Sequence, residues 1–220
     1  MRSFLATLTL VLHGLCFAGC SPTETRLEIQ SFKNPEAAER FAERFDRCSF
    51  AVNAQNNWDI VFEIQPTLIR MPVPSTGSPT STSRPASDRD TSADEVPMSQ
   101  MIHVHVFWRP VPGTTYAEST QTNATIVYCV STGRNSIAYK GAGFVYFTPS
   151  RDGLTIEGQI ESSDLVPTDY VNEPVDLFGP CRIEGSFIAR QQRGHVVAIL
   201  QRLRKTIGPP GGSTAHTAPQ

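Results

Sequence analysis

Residues 143–162 read GFVYFTPSRDGLTIEGQIES and carry the clearest fold signal of the chain. Apolar and β-branched residues dominate both sides of the segment 149–153, which contains Pro149, Asp152 and Gly153. Such runs are typical of strands with one buried face, and Pro, Asp and Gly favour a turn between them. The stretch therefore predicts an antiparallel β-hairpin.

Strand patterns continue over most of the remaining chain. Apolar residues alternate with polar ones, as expected of strands whose side chains point to opposite faces of a sheet. Polar turns at 53–57 and 191–194 would join two further strand pairs into hairpins. Besides the hairpin above, strands are predicted over residues 26–32, 48–52, 58–65, 101–108, 124–130, 181–190 and 195–203.

One helix is predicted near the N-terminus of this β-rich region. Asn34 is a favourable N-cap, and Pro35 suits the first helical position. The apolar stripe expected of a helix that packs on a sheet is formed by Ala38, Phe41, Ala42 and Phe45. We therefore predict an α+β fold that is mainly antiparallel β and sandwich-like, with this helix packed on the sheet.

The domain boundaries follow from one change in composition. Residues 72–100 are rich in Pro, Ser, Thr, Gly and Asp, which predicts a disordered loop. The part before it, 26–71, is near the size below which a core rarely sustains itself, so we expect 26–71 and 101–207 to share one domain. Residues 208–220 are predicted to form a flexible tail. A formal charge of −2 gives no indication of a nucleic-acid partner.

The first residues have the features of an export signal. Arg2 precedes an apolar run over 4–17 that is shorter than the roughly 20 residues needed to cross a bilayer. The run ends in Phe17-Ala18-Gly19-Cys20. An ordinary secretory signal, cut nearby to release a soluble protein, is the alternative that this pattern leaves open.

The segment Phe17-Ala18-Gly19-Cys20 resembles the lipobox of bacterial lipoproteins, although Leu is usual at the position of Phe17. The resemblance implies removal of residues 1–19 by cleavage between Gly19 and Cys20, and attachment of lipid to Cys20. Residues 20–25 would then be a short tether to the cell membrane or outer membrane, with the domain in the periplasm or at the cell surface. Several acyl chains make a stable anchor, since each buried methylene contributes about 0.8 kcal/mol.

Two histidines and a third more distant one are the candidate metal ligands. His103 and His105 are two residues apart on a predicted strand and so point to one face, where His195 could join them. Ile102 and Val104 indicate that the opposite face is the buried one, which favours a pair of solvated histidines. We accordingly predict no metal and no cofactor, and keep the three histidines as candidates.

The cysteines after Cys20 are Cys48, Cys129 and Cys181. In an oxidising compartment they allow one disulfide of undetermined pairing and one thiol, and the alternative is three buried thiols. The sequence has no nucleophile elbow, phosphate-binding glycine loop, zinc-protease helix or paired-cysteine motif. No catalytic residue is therefore predicted.

A second resemblance concerns residues 29–41, which read IQSFKNPEAAERF. This segment is similar to the first strand and helix of SPOR domains, which bind the glycan chains of peptidoglycan. The function we expect is a lipid-anchored envelope protein that binds or scaffolds an envelope partner without catalysis. The alternatives are a SPOR-like binder of cell-wall glycan and a small metal-dependent envelope enzyme that uses His103, His105 and His195.

Overall fold

The computed structural model describes residues 24–33, 39–70, 95–110, 122–172, 174 and 176–207. Within these ranges the chain forms nine strands followed by one helix. The elements are β1 (Arg26–Ser31), β2 (Glu39–Arg44), β3 (Arg47–Val52), β4 (Trp58–Arg70), β5 (Glu95–Val106), β6 (Ala124–Thr132), β7 (Asn135–Pro149), β8 (Thr155–Val171), β9 (Cys181–Gln191) and α1 (Arg193–Ile207).

Strands β3 to β9 form a closed seven-stranded barrel. Each strand from β3 to β8 pairs antiparallel with the next, and β8 pairs antiparallel with β9. The ring closes where β9 pairs parallel with β3, through Ser49 with Arg190 and Phe50 with Gln191. The predicted sandwich is therefore wrong: alternation predicts strands and their faces, but it is the same in an open sandwich and in a closed barrel.

The predicted N-terminal helix is also wrong over 39–44, where the structure has strand β2. This strand pairs with β1, and β1 in turn pairs with β9. Phe41 lies opposite Ile29 and packs edge-on against Phe178 at 5.2 Å between ring centroids, whereas Ala42 is exposed. Strand pairing with β1 thus overrides the helical spacing of the apolar residues. Asn34 and Pro35 lie outside the described residues. The helix that the SPOR resemblance implies is not formed over 39–44, where the chain is a strand.

The segment 195–203, predicted as a strand, belongs instead to α1. Val196, Ile199 and Leu203 are buried and recur at the spacing of a helix, while Val197 is 45% exposed. The sequence HVVAILQRL fits both the two-residue period of a strand and the 3.6-residue period of a helix. A segment this short therefore does not distinguish a strand from a helix. Arg204 in the last turn suits the negative end of the helix dipole.

Two apolar clusters lie on opposite sides of the barrel wall. The larger one fills the interior, with Phe62 edge-on to Phe187 and Tyr128 stacked on Tyr139. The smaller one lies outside, where α1 covers the outer faces of β3 to β6. Its buried members are Ala51, Val61, Met101, Cys129, Val196, Ile199 and Leu203.

The other strand predictions coincide with strands of the structure, but β5 begins six residues earlier than predicted, β7 begins eight residues earlier and β8 ends nine residues later. The hairpin of β7 and β8 turns at 150–154, and that of β3 and β4 turns at 53–57. Most of the predicted loop 72–100 lies outside the described residues, but 95–100 belong to β5. The predicted signal 1–19 and tail 208–220 also lie outside them. No helix in the described part of the chain is long and apolar enough to cross a membrane.

Candidate functional site

The two neighbouring histidines of β5 lie on the outer wall of the barrel. Ile102 and Val104 point into the interior and are fully buried, so His103 and His105 point outward, as the alternation predicts. On the adjacent strand β4, Asp59 pairs directly with His105. The sheet register therefore places one carboxylate beside both imidazoles.

Both imidazoles donate to the same carboxylate oxygen. Nε2 of His103 lies 2.9 Å from Oδ1 of Asp59, and Nδ1 of His105 lies 2.8 Å from it. One ligand-type atom from each of the three residues lies within 4.8 Å of the other two. The side chains are 16–31% exposed, so the cluster is shielded but reachable from solvent.

The charge of Asp59 is maintained by its two partners. Burial acts to raise the pKa of Asp59, but the hydrogen bonds and positive charge from His103 and His105 act together in the opposite direction. The net result is a pKa below the usual range of an aspartate. Asp59 is thus an ionised carboxylate at neutral pH.

This cluster lines one side of a surface cleft of about 490 Å³ between the barrel wall and α1, which we call the helix cleft. Asp59, His103 and His105 provide its polar wall, and the exposed Arg204 contributes a positive charge. The remaining lining residues are Asn53, Thr125, Val127, Leu200, Leu203 and Ile207. The helix cleft therefore combines ionic, hydrogen-bonding and apolar surfaces.

His195 belongs to a different group of side chains, at the first turn of α1. Its Nδ1 lies 3.0 Å from Oγ of Ser49, and its Nε2 lies 3.1 Å from Oε2 of Glu63. Arg202 contacts the other oxygen of Glu63 at 2.6 Å. The side-chain types are those of a serine hydrolase triad, but Ser49 is only 2% exposed beneath the helix, so no substrate reaches it. We assign this group to the attachment of α1 to the barrel.

Asp59 and Glu63 are the acidic site residues, and the sequence analysis did not single them out. Their outward direction is visible in the alternation of β4, where Ile60 and Phe62 point inward. Their partners are not visible in the sequence, because His103 follows Asp59 by 44 residues. Only the pairing of β4 with β5 brings those residues together.

Cys48, Cys129 and Cys181, for which the sequence left open one disulfide or three buried thiols, are free cysteines in this structure. Cys48 and Cys181 pack in the interior cluster, whereas Cys129 lies on the outer face under α1. Burial raises the pKa of Cys129 to about 11 and that of Cys181 to about 12, and it raises the pKa of Cys48 well above its usual range. All three are neutral and poorly nucleophilic at physiological pH.

The predicted cleavage and lipidation residues, Gly19 and Cys20, lie outside the described residues.

Comparisons with protein-family models, with curated proteins and with solved structures find no match.

Proposed function

We propose that the protein is a lipid-anchored binding module of the cell envelope that holds an apolar segment of an envelope protein in the helix cleft. The observation that carries the proposal is the composition of that cleft, which combines charged, hydrogen-bonding and apolar side chains. Among the described residues, no group of side chains combines a nucleophile with access for a substrate. We therefore propose a binding role and not catalysis.

The packing of the barrel supports a binding surface on its outside. Large side chains fill the interior, with Tyr128, Tyr139, Phe50, Phe62 and Phe187 all buried to 1% exposure or less. A barrel filled in this way holds its core where wider barrels hold a ligand. The groove between α1 and the wall is therefore the better candidate for recognition.

The lining of the helix cleft favours a peptide over a glycan. Leu200, Val127 and Ile207 offer an apolar surface, while Asp59 offers an acceptor for a donor group. Binding sites of this kind combine apolar contact area with a few polar groups that fix orientation. A peptide segment with an apolar side chain next to an amine, guanidine or backbone N–H would complement both the apolar side chains and the carboxylate acceptor of the cleft.

The position of the first described residues supports the anchor. The hydroxyl of Thr25 donates to the carbonyl of Ile188 and accepts from its N–H, each at 3.2 Å, which attaches the start of the domain to β9. Four residues lie between Cys20 and Thr25, so the Cα atoms of these two residues are at most about 18 Å apart. A lipid on Cys20 would therefore keep this end of the barrel against the membrane surface.

The charges at that end are compatible with a lipid surface. A surface cavity of about 610 Å³ beside Thr25 is lined by Arg44, Arg47 and Arg190, together with Glu24 and Asp46 among others. Exposed arginines near a membrane are attracted to anionic headgroups, by about 1 kcal/mol each. This attraction would add to the lipid anchor.

Site-specific photocrosslinking tests the binding role. A photoreactive amino acid replaces the exposed Thr125, which lines the helix cleft, and a control protein carries it at the exposed Thr148 of β7. We expect a discrete crosslinked envelope protein from position 125 only, and its loss when Ile207→Arg adds bulk and charge to the cleft. Equal crosslinking from both positions, or crosslinking unaffected by Ile207→Arg in a folded protein, would contradict the proposal.

Mass spectrometry of the N-terminal peptide tests the anchor. We expect acylated Cys20 in the membrane fraction of the wild type, and movement of the protein to the soluble fraction in Cys20→Ala. Unmodified Cys20 in a soluble wild-type protein would show that the secretory alternative is correct.

A further inference from the structure

We infer that Asp59, His103 and His105 bind one divalent transition-metal ion of the zinc type on the outer wall of the barrel. Two imidazole nitrogens and one carboxylate oxygen form a ligand set that such ions accept readily in proteins. This inference stands on the geometry of the cluster and does not rest on the proposed function.

The donor atoms already converge on a small volume. Nε2 of His103 and Nδ1 of His105 approach the same oxygen of Asp59, and the three ligand atoms lie within 4.8 Å of one another. In a tetrahedral site with metal–ligand bonds of about 2.0–2.1 Å, neighbouring ligand atoms are about 3.3 Å apart. Each imidazole–carboxylate distance would therefore lengthen by about half an ångström, and the two imidazole nitrogens, which lie within 4.8 Å of each other, would take the same spacing.

The backbone holds these ligands in a fixed relationship. All three lie on hydrogen-bonded strands of the barrel. Asp59 on β4 lies opposite His105 on β5, and Thr125 on β6 lies opposite His105 on its other side. Ligands on regular strands are positioned more accurately than ligands on loops. The site is thus assembled by the fold before any ion arrives.

The charge and exposure of the cluster suit an ion that keeps an open position. Asp59 supplies a carboxylate, and the three side chains retain 16–31% exposure and line the helix cleft. Three protein ligands leave a fourth position of a tetrahedral ion open to water or to a group of a bound ligand. The positive charge of Arg204, which lines the same cleft, repels a cation. Its side chain is exposed, however, and can extend away from the ion into solvent.

His195, which the sequence analysis kept as a candidate third ligand, lies in another group of side chains, and Asp59 takes this role in the site that we infer. Both ring nitrogens of His195 already contact Ser49 and Glu63, beneath the first turn of α1. This histidine is consequently a matched control, because its substitution removes an imidazole without changing the proposed ligands.

The test is calorimetric titration of the full chain, purified without a histidine tag and freed of metal, with ZnCl₂. We expect one equivalent of Zn²⁺ to bind the wild type and His195→Gln. Asp59→Asn is expected to weaken binding at least tenfold, and the double variant His103→Gln/His105→Gln is expected to bind no Zn²⁺ at this site. Protons compete for imidazole nitrogens, so affinity should also fall as the buffer is made acidic.

Two results would overturn the inference: no saturable binding by the wild type, or equal binding by the wild type and a folded double variant. Circular dichroism of each protein verifies its fold. Should the double variant fail to fold, anomalous diffraction from wild-type crystals soaked in Zn²⁺ gives an independent answer. A zinc peak bonded to all three residues supports the site, and a soaked crystal without a peak there excludes it.

Discussion

Nε2 of His195 on α1 lies 3.1 Å from Oε2 of Glu63 on β4, at a place where both side chains are at least 85% buried. Arg202, two turns further along the helix, contacts the second oxygen of the same carboxylate. One acidic side chain in the barrel wall thus contacts two basic side chains of the helix. The pairing fixes the rotation of α1 as well as its position.

Glu63→Gln should weaken the attachment of α1 and lower the free energy of unfolding. The change removes the charge that His195 and Arg202 face, and we expect a loss of about 1–3 kcal/mol, since Arg202 stays half exposed. Urea denaturation followed by tryptophan fluorescence measures it. The matched control is Glu24→Gln, whose partner Arg44 is 3.5 Å away on the surface, and there we expect less than about 0.5 kcal/mol. Equal effects would contradict our account of Glu63.

The apolar contact of α1 with the barrel should contribute more than its ion pairs. Ile199 is fully buried between the helix and the wall, so Ile199→Ala should lower the free energy of unfolding by about 2–4 kcal/mol. Val197→Ala, two residues away on the exposed face, should change it by less than about 0.5 kcal/mol. Urea denaturation again gives both values. A small loss in Ile199→Ala would mean that the helix is only loosely packed.

The sequence contained part of the information about this helix. Val127 and Cys129 are apolar at neighbouring positions of β6 that point out of the barrel, so this part of β6 is apolar on both faces. Strands of this kind are covered on both sides, which indicates an external element. The alternation alone could not show that this external element is the segment 193–207. Residues 195–203 fit the apolar period of a strand as well as that of a helix.

The site was predictable to a similar extent. The shared outward face of His103 and His105 follows from their spacing alone. The contribution of Asp59 depends on the register of β4 and β5, which is determined by barrel closure and not by any local pattern. Helical spacing near Phe41 likewise proved weaker than the pairing of β1 with β2.

Gly185→Ala should be strongly destabilising because the backbone there requires glycine. Its φ of 141° is one that other residues rarely adopt, and an added Cβ would lie 2.4 Å from the carbonyl oxygen of Arg26. We expect a loss of about 2–4 kcal/mol in the free energy of unfolding, measured by urea denaturation. Gly194→Ala is the control: its added Cβ meets no atom within 4 Å, and it should be neutral or stabilising by up to about 1 kcal/mol. A larger loss of stability in Gly194→Ala than in Gly185→Ala would be incompatible with the close approach of β1 to β9 at Gly185.

The three described cysteines should resist alkylation in the folded protein. With the pKa of Cys129 at about 11 and that of Cys181 at about 12, almost no thiolate forms at pH 8, and desolvation also raises the pKa of Cys48 well above its usual range. Iodoacetamide treatment, followed by peptide mass spectrometry, should label all three only after unfolding in guanidinium chloride. Rapid labelling of any one of them in the native protein would mean that its surroundings open readily.

The position of β1 also determines how the barrel responds to mechanical force. This strand lies between β2 and β9, and the chain enters it directly after Thr25. A pull on the chain before Thr25, directed along the strand, would load the hydrogen bonds on both edges of β1 in shear, so that they would have to break together. A domain held at this point would resist drag on a bound partner, since rupture would require the cooperative loss of two strand pairings.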